Sequence, residues 1–480
     1  MRSKFAPSLG VMRNRPRSEF IVDNEKEDVV INTNKTTRLL MSAAHLYPND
    51  FKEDLKERLS HPYKSSAPEY GVELNKISQE LEKAKVSHFG KSAFIFIVVL
   101  IFFFIFIEDP KDNWVMLIPA LALTSIAEFI YNRSAKKKAR LILAGENKDD
   151  EENKTNKKNI MISGGYSPFV GAGIDLDSWS FTINTKEAED KSKPVKPVSV
   201  TELHEQLKKR LLSLGIDDIE ITDELYINGK DVNLVEYLLP NGRLSKPVDN
   251  VDLQYINTKI NNDDKRERHY RVVRIPMWDG QMILSVYYRF LSVKDNLFTE
   301  ARFFLLPPLK EKYLAIDEIP LKPTGKEFGE SLIQSIFTGA FSWIGVVINV
   351  LTFVQGGFMA DSARQKGWKR ELESNRLYNY GWDSSLREKW SSVSFERYFQ
   401  KVDKDVALKL VTSEFLGALR EYLEKNNIST EQFSQTSTKI VNEGVMISGG
   451  EVKADSFAVG KGASIAKDAI KAVKGGGNKS

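Results

Sequence analysis

Residues 92–107 read SAFIFIVVLIFFFIFI, and residues 114–131 read WVMLIPALALTSIAEFIY. Only EDPKDN, residues 108–113, separates them. At 1.5 Å per residue the two runs make helices of about 24 and 27 Å, close to the roughly 30 Å of bilayer hydrocarbon. The first run holds six phenylalanines and nothing more polar than Ser92, so no amphipathic stripe is present. A helix apolar on every face belongs in a deep core or in lipid. In a chain whose mean hydropathy is −0.33, two such runs in succession read as a transmembrane helical hairpin. Trp114 and Tyr131 bracket the second run as interfacial aromatics do. Pro119 predicts a kink there. Glu128 is the only carboxylate in either run and lies one turn from its end, so it is expected to snorkel to the interface.

Charge on the flanks orients the hairpin. Lys83, Lys85 and Lys91 precede the first run, and Arg133, Lys136, Lys137, Lys138 and Arg140 follow the second. The turn carries Glu108, Asp109 and Asp112 against Lys111 alone. The positive-inside rule places both long arms in the cytoplasm and the turn outside. The net charge of +4 comes from these flanks and from Arg2, Lys4, Arg13, Arg15 and Arg17. No apolar stretch follows that basic arm, so it is not read as a secretory signal. Cysteine is absent, which removes disulfides, thiolate metal sites and thiol nucleophiles.

The fold class expected is α+β with a transmembrane hairpin. Residues 1–33 read as a disordered basic arm. Residues 34–90 are an N-terminal helical bundle carrying Leu39, Leu40, Phe51, Leu55, Leu59, Leu74, Ile77 and Leu81 at helical spacing. The hairpin occupies 91–133, and 134–160 is a charged linker. Residues 161–325 form a cytoplasmic α+β domain with an antiparallel sheet. Its Gly-rich start leads to an alternation in which Trp179, Phe181 and Ile183 share one face. Ser199 and Glu202 make a capping box opening a helix with Leu203, Leu207, Leu211 and Leu212. Strand signals follow at 219–227, 252–260, 270–277, 281–293 and 297–306, with hairpin turns at Asp279-Gly280 and at Lys294-Asp295-Asn296. Residues 326–360 are an apolar segment, uncharged from 331 onward, that is either interfacial or protein-buried, or a third span. A third span would carry Arg364, Lys366, Lys369 and Arg370 outside, against the charge rule. Residues 361–444 are C-terminal helices, and 445–480 is a Gly-rich tail. The word MISGG occurs at 161–165 and again at 446–450. It reads either as two unrelated turns or as strand-turn elements that pair with each other or with a partner chain.

No phosphate-binding loop, nucleophile elbow or paired metal-ligand spacing is present. His45, His61, His88, His204 and His269 stand singly, and His204 is expected to be solvated. Asp175 and Asp177 beside the Gly-rich stretch are read as loop carboxylates rather than as a cation site. Lys265, Arg266, Arg268 and Arg271 are read as charges on an exposed strand edge. No catalytic, cofactor-binding or metal residue is assigned, and neither a nucleic acid nor a small-molecule substrate is expected.

TRLLMSAAHL (37–46), SGGYSPFVGAGIDLDSWSF (163–181), LFTEARFFLLPPL (297–309) and NEGVMISGGEVKADSFAVGKGA (442–463) together resemble an uncharacterised family of two-span membrane proteins from actinobacteria and related bacteria. The resemblance implies a bacterial plasma membrane and transfers no catalytic residue. Two function classes follow. One is a membrane-anchored cytoplasmic scaffold or adaptor with a protein partner or a second copy of itself. The other is a membrane-active effector whose residues 331–360 perturb the bilayer. A topology reporter fused after Asn113 is expected to read external, and one after Arg140 internal. The reverse pattern would overturn the orientation.

Overall fold

The computed structural model describes residues 34–145 and 158–441, apart from single positions at 217, 263, 321 and 357. The basic arm, the second MISGG and the Gly-rich tail lie outside the described residues. Helix α1 (Lys35–Leu46) opens on Asn34, whose side chain accepts from the Thr36 amide at 2.9 Å. Leu39, Leu40, Ala43 and Ala44 are fully buried, and α1 packs between the bases of two long helices. Helix α2 (Pro48–Ser60) starts on a proline, where the missing amide costs nothing, and buries Phe51 and Leu55, while Leu59 is exposed.

Helix α3 (Leu74–Glu108) joins the charged helix and the first apolar run without a break. A short 3₁₀ turn at Asn113–Met116 leads into α4 (Leu117–Leu143). Pro119 therefore falls in the first turn of α4, where proline is tolerated, rather than kinking its middle. The cations 133–140 continue this helix, so the linker starts later than the charge pattern suggested. Both helices are long and apolar enough to cross a membrane, and only 11% of the apolar window of each is buried. Phe94, Ile97, Phe103, Phe104, Ile118, Ile126 and Ile130 all face outward. Glu128 does not snorkel: it is buried between the helices, 3.0 Å from the Lys91 ammonium.

The sheet has the order β1-β3-β4-β5-β6-β2. Its strands are β1 (Ile160–Ser163), β2 (Ile174–Asn184), β3 (Glu220–Asn228), β4 (Glu267–Met277), β5 (Met282–Val293) and β6 (Asn296–Leu306). β1 runs parallel to β3 and every other pair is antiparallel, so the sheet is mixed rather than purely antiparallel. Residues 252–260, expected as a strand, form α6 (Leu253–Lys259), which buries only Ile256. The β5–β6 loop is the two residues Lys294 and Asp295, with Lys294 in the left-handed region at φ 53°. The β4–β5 turn needs Trp278, Asp279 and Gly280 all at positive φ.

Period-two alternation sends the strands' side chains to two covered faces. Val273, Ile275, Leu284, Val286, Phe290 and Phe303 meet α5 (Val200–Leu212) and α11 (Tyr398–Lys425) on one side. Leu203, Leu207 and Leu211 of α5 are buried there, whereas Leu212 is exposed. Ser199 caps α5 by accepting from the Glu202 amide at 3.3 Å. Val272, Tyr226, Tyr270, Tyr287 and Phe304 face the other way and are covered by Phe169 and Ala172 of the Gly-rich stretch.

After β6 come α7 (Glu311–Leu314), α8 (Gly325–Gly356) and α9 (Phe358–Ser374). Within the region 361–444, read as C-terminal helices, residues 375–397 instead form an irregular strap holding the single turn α10 (Leu386–Lys389). Helix α11 ends at Asn426, with Asn427 in the left-handed region, and α12 (Glu431–Lys439) closes the described chain.

Gly173 has φ +89°, and a Cβ there would sit 2.2 Å from the Leu305 carbonyl oxygen of β6. Neither the backbone angle nor the carbonyl can give way. Gly173→Ala is expected to destabilise the domain by about 2 kcal/mol or more, read as a lowered denaturation midpoint. An unchanged midpoint would refute this account of the turn.

Candidate functional site

The residues that join the hairpin to the sheet are charged groups that have left water. Glu69 lies in the extended segment before α3. Its two carboxylate oxygens accept from the Leu386 and Arg387 amides at 3.0 and 2.9 Å, at the start of α10. Glu388 in the same turn accepts from the Gly171 and Gly173 amides at 3.0 and 2.9 Å and from the Ser385 amide at 2.7 Å. Ser385 returns the favour by accepting from the Glu388 amide at 3.0 Å, completing a capping box. Arg387 is fully buried between these carboxylates and donates to the carbonyls of Gln281 at 2.7 Å and Pro307 at 3.0 Å. Burial pushes the Glu69 carboxyl up to about 7, and the Arg387 guanidinium down to about 9. The segment before the hairpin, the Gly-rich stretch, the ends of two strands and the C-terminal strap thus meet at one turn of helix.

The sheet face under the Gly-rich stretch holds a second network. Arg274 of β4 makes a two-pronged pair with Glu224 of β3 at 2.7 and 2.8 Å, and donates to the Tyr70 hydroxyl at 2.7 Å. Tyr226 donates to the same carboxylate at 2.6 Å. Tyr70 follows Glu69 in sequence, so the hairpin segment reaches both networks.

On the opposite face, beneath α5, Asp223 accepts from Arg271 at 2.8 and 2.9 Å and is bonded to His269 Nε2 at 2.8 Å. Arg271 also reaches Glu205 at 2.9 Å. Burial would raise the Asp223 carboxyl, but the bonds from His269 and Arg271 outweigh it and hold it well below the usual range. His204 sits beside this group, 5.5 Å from His269 and 5.4 Å from Tyr288 between ring centres. It is fully buried, and among the described residues neither of its ring nitrogens has a hydrogen-bond partner. Burial lowers its pKa well below the ordinary value, with His269 and Arg271 adding to the effect.

Several expectations are corrected here. His204 is core, not solvated, because α5 turns it onto the sheet with Leu203 and Leu207. β4 is an interior strand, so Arg271 is buried in an ion pair rather than lying on an exposed edge; Lys265, Arg266 and Arg268 are exposed. The remaining histidines stay apart. His45 pairs with Glu80 at 2.7 Å, His61 stacks on Trp368 at 4.4 Å, and His88 meets Tyr131 edge-on at 5.6 Å. Asp175 and Asp177 flank an irregularity in the outer strand β2, and burial raises both carboxyls. Among the described residues no group of three His, Asp or Glu side chains is arranged to hold a metal ion. The first MISGG forms β1 and its following turn, where the Gly164 amide donates to the Trp382 carbonyl at 2.8 Å. Its strand pairs with β3 and its turn meets the strap, contacts the sequence did not suggest.

Fold and networks together define a mixed α+β domain locked to the base of an apolar helical hairpin. The AbeC-like domain family matches residues 178–453, more than half of the chain, and the chain belongs to that family. The match runs from β2 to beyond α12 and leaves the hairpin outside it. No curated protein and no solved structure matches the chain.

His204 generates a pH dependence of definite sign. Its folded pKa is depressed, so its contribution to stability is present above about pH 6.5 and is lost as the pH falls, when only the unfolded chain takes up the proton. Asp223, Arg271, Glu205, His269 and Tyr288 are the titratable groups that face it. Unfolding followed by tryptophan fluorescence in mild detergent should therefore weaken between pH 6.5 and 5, at most about 1.4 kcal/mol per pH unit for this group. His204→Phe should flatten that slope, and an unaltered slope would show that His204 is not its source.

Proposed function

We propose that this chain is an integral protein of a bacterial plasma membrane. Its hairpin is the anchor, and the AbeC-like domain is a cytoplasmic scaffold or adaptor for a protein partner or a second copy of the chain. The observation that carries the reading is the bonding of Glu69 to the amides of α10 and of Glu388, within α10, to the amides of the Gly-rich stretch. It makes the domain and the hairpin base one packed unit, so a protein docked on the domain is held at a fixed height above the bilayer. The outward-facing phenylalanines and isoleucines of α3 and α4 support the anchor, since water-exposed apolar surface of that extent is strongly disfavoured.

The uncharged segment bears on the choice between anchor and effector. Helix α8 packs along α4: Ser331 accepts from Lys136 at 3.0 Å, and the Gly339 carbonyl accepts from Thr124 at 3.1 Å. A Cβ on Gly339 would meet Ser125 at 2.5 Å, so the two helices touch backbone to backbone, as small residues permit in membranes. By Asp361 the chain is back at α2, pairing with Lys56 at 2.5 Å, and Lys389 of the strap pairs with Asp54 of the same helix at 2.6 Å. Both ends of the segment being tied to cytoplasm-side helices supports the non-spanning alternative and hence the quiet scaffold. The effector reading instead has 331–360 leave its packing on α4 and perturb the bilayer.

Reporters fused after Gly325 and after Arg370 are both expected to read cytoplasmic. Purified protein in liposomes should retain an entrapped dye. Opposite reporter sides would establish a third span, and dye release would favour the effector.

A further inference from the structure

The face that α4 turns toward α8 just past the membrane edge is cationic. Arg133, Lys136, Lys137 and Arg140 fall at i, i+3, i+4 and i+7 and so share one side of the helix. With the first turns of α8 they wall a cavity of about 480 Å3. Glu327 is its only carboxylate and is already engaged by Arg140, with Lys136 at 3.8 Å. Arg140 also donates to the Pro320 carbonyl at 2.7 Å, so it holds α8 in place. Arg133 and Lys137 have no carboxylate partner among the described residues. Arg133 rests over the Phe328 ring at 5.7 Å, and both side chains are exposed. The cavity therefore presents uncompensated positive charge.

Its depth and its floor say what the charge is for. Tyr131 ends the apolar run, so at 1.5 Å per residue Arg133 to Arg140 lie about 3 to 13 Å beyond the hydrocarbon, in the headgroup layer. Phe129 and Phe328 meet edge to face at 5.2 Å and form the apolar floor on the membrane side. A cationic wall over an aromatic floor fits an anionic group that carries hydrocarbon with it. Free phosphate would leave the floor unused.

We propose that this cavity binds the phosphate headgroup of an anionic phospholipid, with Arg133 and Lys137 contacting the phosphate and Phe129 and Phe328 the first methylenes of the acyl chains. The proposal rests on the membrane reading above and goes beyond it by assigning a ligand and a site. It is also distinct from the AbeC-like domain's buried networks, since Arg133 and Lys137 belong to neither. Basic pockets beside membrane helices on the cytoplasmic side are a recurrent solution for such headgroups.

The test uses the full chain in mild nonionic detergent, with lipid retention read by native mass spectrometry. Phosphatidylglycerol should be retained at about tenfold lower concentration than phosphatidylcholine of the same chains. Arg133→Gln with Lys137→Gln should abolish the preference, whereas Arg133→Lys with Lys137→Arg should keep it. Arg140 and Glu327 are left intact in both, so α8 stays docked. Equal retention of the two lipids by the unaltered chain, or a preference that survives the double glutamine variant, would overturn the site. Displacement of the lipid by millimolar inorganic phosphate would overturn the assignment to lipid. Co-flotation with pure phosphatidylcholine vesicles reads the anchor separately: a chain that floats without lipid preference loses only the site, and one that fails to float loses the membrane reading itself.

Discussion

Two carboxylates removed from water organise this molecule. A buried carboxylate is costly unless donors surround it, and Glu69 and Glu388 meet that cost with backbone amides rather than with a cation alone. Those amides come from Leu386, Arg387, Gly171, Gly173 and Ser385, so the two side chains fix the strap, the Gly-rich stretch and the segment entering the hairpin in a single arrangement. The glycines are required because the backbone of the stretch must press against β6 and against Pro68, where a Cβ at Gly171 would lie 2.6 Å from the carbonyl oxygen. Arg387 balances the charge from beneath and ties the same turn to the ends of β5 and β6. Apolar hairpin and sheet domain are consequently coupled through backbone geometry, which is stiffer than contact between exposed side chains.

The sheet itself carries an unusual amount of charge for a structure covered on both faces. Arg274 with Glu224 on one side, and Arg271 with Asp223 and His269 on the other, join adjacent strands: Asp223 sits directly opposite Arg271, whereas Arg274, opposite Glu220, reaches along the strand to Glu224. Successive residues of β3 thus serve opposite faces. Buried pairs of this kind contribute little net stability, but losing one partner strands the other and is strongly destabilising. Their effect is to select one register of β3 on β4, because a one-residue slip would put each carboxylate on the face without its arginine. His204 is the exception. It is buried with no hydrogen-bond partner among the described residues, packed against Tyr288 and Phe290, and burial disfavours its charged form.

The hairpin is built on the opposite pattern. Its outer surface is apolar where the chain has no protein to cover it, and polar only where helices meet: Lys91 with Glu128, and Thr124 with the carbonyl of Gly339. Beyond Tyr131, polar and charged residues take over the contact with α8, and the cations there exceed the carboxylates. That change of character along a single helix is what separates the anchor from the coupling region.

The hairpin was legible in the sequence because apolar length is a matter of composition alone: sixteen residues without a charge need no tertiary partner to declare themselves. The same holds for α1, for the Ser199 cap and for the β4–β6 meander, whose periodicity and turn residues are local signals. What the sequence could not show was which segments neighbour which, and the misreadings of Arg271 and His204 follow from that. Arg271 reads as an edge charge until β3 and β5 are placed on either side of it. His204 reads as solvated until α5 lies on the sheet. Residues 252–260 have strand-like composition yet fold as α6, because a short segment takes its state from the space its neighbours leave. Residues 375–397 have no periodicity at all, and they close the structure. Glu69 and Glu388 look like any surface glutamate in the chain; only the approach of segments more than 200 positions apart removes them from water and gives them their role. Lipid, helix caps and turns act over a few residues and are written locally, whereas desolvation of a charge is a property of the assembled fold and was decided there.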